Sequence, residues 1–383
     1  MASALTAAPP VTESKATKPA RKWTFKYLSL KLHLWIGLGA GVLMFILGFT
    51  GTIIAFEQEI PRWTHQSLFY VHPAGQQLPE AQLIANAQEA AGGARIRNVL
   101  LSRWPTMAQI MQVPNPDDPR AGMRIFVDPY TGKVLGTQKG QMGVEKFDQF
   151  MHNTHLRVVQ SWGDNGKLIV SIVGAILIVE STFGLILWFR LKRWTIKFRQ
   201  ASWFRVFFDA HNVLGIFALV LMLVLSITGV FIGFPTFEEL AFKMTKSDRL
   251  VQRRLPQSTI AADGSKITVD QAIGIARAAM PEGTPMAVDL PGTPKSGYMV
   301  RMRTTETEPT AFSWVLVDQY NGNVLGTQKF HSSAGYVAIR YNRSIHTGDL
   351  WGLPGHIITS LTSLALVVLA ITGVVIWWKK LAV

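Results

Sequence analysis

Hydrophobic positions along this chain follow two patterns. Four long runs are almost free of charge, at residues 33–56, 168–189, 212–234 and 356–378. Each is long enough to cross the hydrocarbon layer, which takes about 20 apolar residues in a helix, so each is predicted to span a membrane. The two long connections, 57–167 and 235–355, read differently: apolar and polar residues alternate over short stretches separated by turn residues, as in half-buried strands. In the first connection the pattern predicts a helix from Ala81 to Ala91 and strands at Arg95 to Leu101, Gln109 to Val113 and Met123 to Val127. A turn, Asp128-Pro129-Tyr130-Thr131-Gly132-Lys133, then leads into Val134-Leu135-Gly136, its glycine supplying the positive φ of a tight hairpin. The second connection predicts a helix from Val269 to Met280 and strands at Met286 to Leu290 and Tyr298 to Arg303.

The second connection closes as the first does. Val317 to Lys329 is identical to Val127 to Lys139 at 10 of 13 positions. Repetition at this level sets the expected architecture: a membrane protein with four transmembrane α-helices in two repeats, each carrying a small α+β module. The halves are expected to be related by a pseudo-two-fold axis along the membrane normal.

Charge orients the chain. Lys15, Lys18, Arg21, Lys22, Lys26 and Lys31 precede the first run, Arg190, Lys192, Arg193, Lys197, Arg199 and Arg205 fill the short middle connection, and Lys379 and Lys380 follow the last run. Cationic flanks favour the cytoplasmic side. The tail 1–32, the loop 190–211 and the tail 379–383 are therefore expected inside, with both modules outside, in the periplasm of a Gram-negative cell. Residues 1–22 read as a disordered tail. The first run, behind some thirty polar residues and without a small-residue cleavage site, does not read as a cleaved signal peptide. The net charge of +14 is largely concentrated in these flanks, so anionic lipid accounts for it better than nucleic acid does. With no cysteine in the chain, disulfides, thiolate-held iron–sulfur clusters, covalent c-type haem and cysteine nucleophiles are excluded.

The candidate chemistry lies in the histidines. His33 and His211 open the first and third runs, and a Thr-Gly pair follows each 17 residues later, Thr50-Gly51 and Thr228-Gly229. His155 and His346 precede the second and fourth runs at matching places. The repeat thus provides one histidine pair at each face. Imidazoles on facing helices suit the axial positions of a b-type haem, and Gly37, Gly39 and Gly41 would leave room for a macrocycle or a neighbouring helix. On the residues alone, interfacial histidines holding helix ends are the alternative. His152 and His356 are alternate ligands or members of a proton path, whereas His65, His72 and His331 read as ordinary exposed residues. Glu180 is the one carboxylate deep inside a run; it is read either as a proton-handling group or as hydrogen-bonded to a Ser or Thr of a neighbouring helix. Trp162, Trp351, Trp377 and Trp378 read as an aromatic belt.

With the repeat, the turns and the histidines assembled, the chain resembles the PepSY-associated transmembrane family of bacterial inner-membrane proteins over nearly everything after residue 24. The resemblance rests on the His33 and His211 helix starts with their Thr-Gly pairs, on His155 and Ile345-His346-Thr347-Gly348, and on the two Asp-x-Tyr-x-Gly-x-Val-Leu-Gly turns. Within the family it looks most like the FoxB-type ferric-siderophore reductases. That resemblance implies two b haems, one held by His33 and His211 and one by His155 and His346. Electrons would enter near the cytoplasmic face, from quinol, reduced flavin or a soluble reductase, and reach a ferric siderophore docked between the outer modules. Arg157, Arg340, Tyr341, Arg343 and Trp351 are its candidate contacts. Two other functions fit the same residues: an electron-transfer subunit serving a periplasmic protein, and a non-catalytic scaffold whose modules bind a partner.

Overall fold

The computed structural model describes residues 24–114, 122–140, 143–196, 202–247, 255–260, 264–304 and 313–381. The tail expected to be disordered, with Lys15, Lys18, Arg21 and Lys22, lies outside the described residues, as do Lys197 and Arg199. In chain order the helices are α1 (Phe25–Ile54), α2 (Glu59–Thr64), α3 (Gln66–Phe69), α4 (Glu80–Ala90), α5 (Gly143–Arg157), α6 (Gly163–Leu191), α7 (Trp203–Gly233), α8 (Pro235–Thr245), α9 (Val269–Ala279), α10 (Ala334–Thr347) and α11 (Leu353–Leu381). The strands are β1 (Asn98–Leu100), β2 (Gln109–Val113), β3 (Met123–Val127), β4 (Val134–Lys139), β5 (Thr284–Asp289), β6 (Tyr298–Arg303), β7 (Ser313–Val317) and β8 (Val324–Gln328).

Four helices, α1, α6, α7 and α11, are long and apolar enough to cross a membrane, with mean hydropathy between 2.0 and 2.7. They form a bundle in which α1 packs against α6 and α11, and α7 against the same two. This places α1 and α7 across the bundle from one another. Backbones touch where residues are small: a Cβ on Gly48 would come within 2.8 Å of the Ser363 carbonyl of α11. Helices α1 and α7 begin well before the apolar runs. Thr24 caps α1 by accepting from the Tyr27 N–H at 3.3 Å, and the cations that follow are good helix formers. His33 and His211 therefore sit inside their helices, about two turns from the N-terminus, and not at the opening.

The strands form one eight-stranded antiparallel sheet in the order β4-β3-β2-β1-β5-β6-β7-β8. The two outer connections therefore share a single sheet, joined where β1 pairs with β5 through Asn98–Asp289, Val99–Val288 and Leu100–Ala287. The join removes two edges that would otherwise expose unpaired backbone groups. On one face α4 covers Val99, Met111, Ile125 and Val127, while α9 covers Val288, Val300, Val315 and Val317. Asp270, in the first turn of α9, accepts from the N–H groups of Glu80 (2.7 Å) and Ala81 (3.0 Å) that open α4. A carboxylate of one connection thus caps the helix of the other. The repeated turns are alike in detail: Asp128 accepts from Tyr130 N at 2.9 Å and Asp318 from Tyr320 N at 2.8 Å, with Gly132 at φ 70° and Gly322 at φ 75°.

The predicted strands Gln109 to Val113, Met123 to Val127 and Tyr298 to Arg303 match β2, β3 and β6. Helices α5 and α10 had no counterpart in the hydrophobic pattern, because they are short and half polar. They lie at the sheet end of the bundle, α5 against α1 and α6, and α10 against α7 and α8. These two helices carry His155 and His346.

Candidate functional site: two facing histidine pairs

His33 on α1 and His211 on α7 meet across the bundle with ring centroids 6.1 Å apart; His155 on α5 and His346 on α10 meet at 6.4 Å at the sheet end. An atom held between two imidazoles at metal–nitrogen distances of about 2.0 Å would set the centroids roughly 6.3 Å apart. Both gaps match that spacing.

Hydrogen bonding fixes the tautomers. The Thr50 hydroxyl donates its only proton to the Ile46 carbonyl at 2.7 Å, so towards His155 Nδ1, 3.0 Å away, its oxygen accepts. Thr228 repeats the arrangement, donating to the Val224 carbonyl at 2.7 Å and accepting from His346 Nδ1 at 3.0 Å; the Leu225 carbonyl accepts from the same nitrogen. Thr372 donates to the Val368 carbonyl at 2.8 Å and accepts from His211 Nδ1 at 2.9 Å. For His33 the acceptor is a carboxylate, Glu180 Oε1, at 2.9 Å. Every one of the four imidazoles carries its proton on Nδ1, which leaves the Nε2 lone pair for a metal. Burial pushes His155 down to about 3 and His346 to about 4, so both are neutral at physiological pH.

A glycine faces each ring. Built Cβ atoms would lie from imidazole Cε1 at 3.4 Å for Gly184 and His33, 3.6 Å for Gly373 and His211, 3.3 Å for Gly51 and His155, and 2.9 Å for Gly229 and His346. Gly37, singled out in the sequence, faces Glu180 instead, and Gly39 and Gly41 face open space within 4 Å. Between the pairs the bundle is filled by Ala40, Met44 and Val173 on one side and by Ala218, Met222 and Ala365 on the other.

Glu180 therefore has a partner that the sequence did not suggest: a histidine, and no Ser or Thr. At the corresponding place on α11 stands Leu369, and where α11 has Thr372, α6 has Phe183. Glu180 compensates for the missing hydroxyl. The alternates differ from the four. His356 is buried with Nδ1 2.9 Å from Glu59 Oε1 and Nε2 3.0 Å from Asp349 Oδ1, so neither nitrogen is left for a metal. His152 Nδ1 lies 2.6 Å from Glu57 Oε2 at the protein surface.

The five candidate substrate contacts lie on α5, on α10 and in the turn that follows α10. Arg157 ends α5, Arg340 lies over the Tyr336 ring at 5.5 Å, Tyr341 packs on Phe330, Arg343 is on α10, and Trp351 is 61% exposed. None of them lines a cleft of about 850 Å³ that opens between the free face of β1–β3 and helices α2 and α5. His65 is partly exposed and His72 and His331 are exposed.

Comparison with known families decides the kinship. The family model described as PepSY-associated TM region matches residues 30–380. The chain belongs to the PepSY-associated TM region family. That match takes in nearly all of the four long helices, the whole sheet and both histidine pairs of this PepSY-associated membrane protein. No curated protein matches the chain.

Proposed function

We propose that this PepSY-associated protein is a two-haem electron conduit of a bacterial inner membrane that reduces ferric iron in a periplasmic siderophore complex. One observation carries the reading: four histidines, paired across the bundle at the spacing of bis-imidazole ligation, each hold their proton on Nδ1 through an acceptor and offer Nε2. Interfacial histidines that merely hold helix ends have no reason to share one tautomer or to face one another.

The parts assign themselves on this reading. The halves are two repeats related by a two-fold axis along the membrane normal, with termini and middle loop cytoplasmic and the sheet periplasmic. His33 and His211 would hold an inner b haem, and His155 and His346 an outer one. Haem supplies a one-electron centre whose potential follows its ligands and surroundings. The protein fixes the ligands through Glu180, Thr372, Thr50 and Thr228, clears space with the facing glycines, and excludes water between the centres with Met44, Met222 and their neighbours. The pairs lie about 25 Å apart along α1, given 17 residues between His33 and Thr50 at 1.5 Å each. A quinol or flavin on the inner side would be the one-electron donor, and ferric iron on the outer side the acceptor. Reduction lowers the cation's charge and weakens its bonds to hard oxygen ligands, which frees ferrous iron.

The test is the reduced-minus-oxidised visible spectrum of the detergent-purified protein with haem counted per chain. Two b haems are expected, with one lost in His33→Ala and the other in His155→Ala. Folded protein from haem-replete cells that is colourless would overturn the reading.

A further inference from the structure

The elbow that joins α1 to α2 holds three neighbouring polar residues, and each grips a different element. Glu57 Oε2 lies 2.6 Å from His152 Nδ1 on α5. Gln58 Nε2 donates to Asp349 Oδ1 at 3.3 Å, in the turn that follows α10. Glu59 Oε1 accepts from His356 Nδ1 at 2.9 Å at the start of α11, and Asp349 Oδ1 accepts from His356 Nε2 at 3.0 Å. Both ring nitrogens of His356 face acceptors, so both carry protons and the ring is a cation between two carboxylates. Thr347 closes the group by donating to Asp349 Oδ2 at 2.7 Å.

Stability does not explain this group. The side chains of His356, Asp349 and Glu59 are at most 12% exposed, and Glu59 Oε2 is buried without a partner. Charges taken out of water in this way return little stability, and apolar side chains of similar volume often do as well; what they fix is register. The other half of the chain shows that packing here needs no charge. Counted from the two Thr-Gly pairs, Glu57, Gln58 and Glu59 correspond to Pro235, Thr236 and Phe237, and Phe237 stacks on Phe231 at 4.9 Å.

The group does join the carriers of the outer histidine pair. His152 stands three residues, almost one helical turn, before His155 on α5, and Asp349 stands three residues after His346. Helix α5 packs on α1 and α6, and α10 on α7 and α8, so their spacing is sensitive to what ties the two groups together at that end. The elbow does so with bonds to Asp349 and His356 that span 291 and 297 residues of chain.

We propose that Glu57, Gln58, Glu59, Asp349 and His356 form a crossbar that fixes the separation of His155 and His346, which makes them positioning residues of the outer pair. The crossbar rests on these contacts alone; its effect on a haem rests on the two-haem reading.

The experiment separates the two. The chain has no cysteine, so nitroxide labels attach only where cysteines are introduced. Lys146→Cys on α5 and Ala338→Cys on α10 replace exposed residues, and double electron–electron resonance on the purified full chain reads the separation of the two helices without any haem. The chain with all crossbar residues in place is expected to give one narrow distance distribution. His356→Ala at least doubles its width, and His356→Lys, which restores the cation, narrows it again. Lysine is what the first half carries here: five residues after Trp162, as His356 is after Trp351, stands Lys167. Asp209→Ala breaks a buried ion pair near His211 and leaves the distribution narrow, which a general loss of stability would not do. Glu57→Ala, at a half-exposed position, broadens the distribution less and decides the matter if His356→Ala does not fold. In haem-loaded protein His356→Ala lowers retention of the outer haem about tenfold and leaves the inner one in place. A distribution in His356→Ala, or in its place Glu57→Ala, that superimposes on the starting one would overturn the proposal. So would a distribution that stays broad in His356→Lys, equal broadening in Asp209→Ala, or full retention of the outer haem in a variant whose distances broaden. A protein whose distances behave as expected but which holds no haem would overturn the two-haem reading and leave the crossbar standing.

Discussion

Alanine at Gly229 is the sharpest test of the histidine geometry. The new methyl carbon would lie 2.9 Å from Cε1 of His346, at least about 0.6 Å inside the 3.5–4.0 Å at which carbon atoms rest. The helix backbone is fixed by its own hydrogen bonds, so the ring has to move by roughly that amount. Metal–imidazole bonds hold to about 0.2 Å around their 2.0 Å length, so on the two-haem proposal the displaced ring would no longer reach an iron held by His155. Overpacking of this kind costs about 1–3 kcal/mol, or roughly 5- to 150-fold in retention of the outer haem. Gly373→Ala is the control. There the methyl carbon would lie 3.6 Å from His211 Cε1, an ordinary contact, and the helix gains up to about 1 kcal/mol from the better helix former. Haem per chain and difference spectra, measured on both variants after identical purification, read the outcome. Full occupancy in Gly229→Ala, or a greater loss in Gly373→Ala, would refute the reasoning.

Other expectations concern the neighbours of this site and the folding of the sheet. Glu180→Leu removes the carboxylate that accepts from His33 and that, on the two-haem proposal, would favour the more highly charged iron; the midpoint potential of the proposed inner haem should rise by on the order of 60 mV, a tenfold step for one electron, and an unchanged redox titration would exclude the contact as a tuning device. Asp209 is wholly buried between Arg193 at 3.0 Å and Arg205 at 3.2 Å. Asp209→Ala should cost about 2–4 kcal/mol, less than a fully buried pair because both arginines keep some water, read as a melting temperature lowered by several degrees. Glu80 is raised to about 7, chiefly by burial and against the hydrogen bond from Gln109. A raised carboxyl stabilises the fold while protonated, fully below about 4.5, and that contribution is lost as pH climbs through 7. Melting temperature should therefore fall between those values more steeply in the wild type than in Glu80→Gln, by an amount equivalent to about 3 kcal/mol; parallel curves would show that Glu80 is not the titrating group.

How much of this was legible in the chain differs by element. Bilayer thickness sets the length of an apolar run, so α1, α6, α7 and α11 could be read from composition. Strand periodicity is local, and so were the bounds of β2, β3 and β6. The 10 identical positions of the two turns marked two alike hairpins, because Asp and Gly at fixed places are what such a turn requires. Helices α5 and α10 escaped, since a short helix half buried against a bundle end has neither a long apolar run nor a clean period.

What the sequence determined by itself, then, was the four long helices, several strands and the matching positions of four histidines, because lengths, periods and repeats are properties of neighbouring residues. The tertiary structure decided everything that depends on residues far apart in the chain. It set α1 opposite α7, so that His33 and His211 face one another; it gave each imidazole an acceptor on another helix; and it turned Glu180 to His33. It also enclosed His356 between two carboxylates and fused two expected modules through β1 and β5. Each of these is a contact across more than a hundred residues or a matter of burial, and neither leaves a local signature.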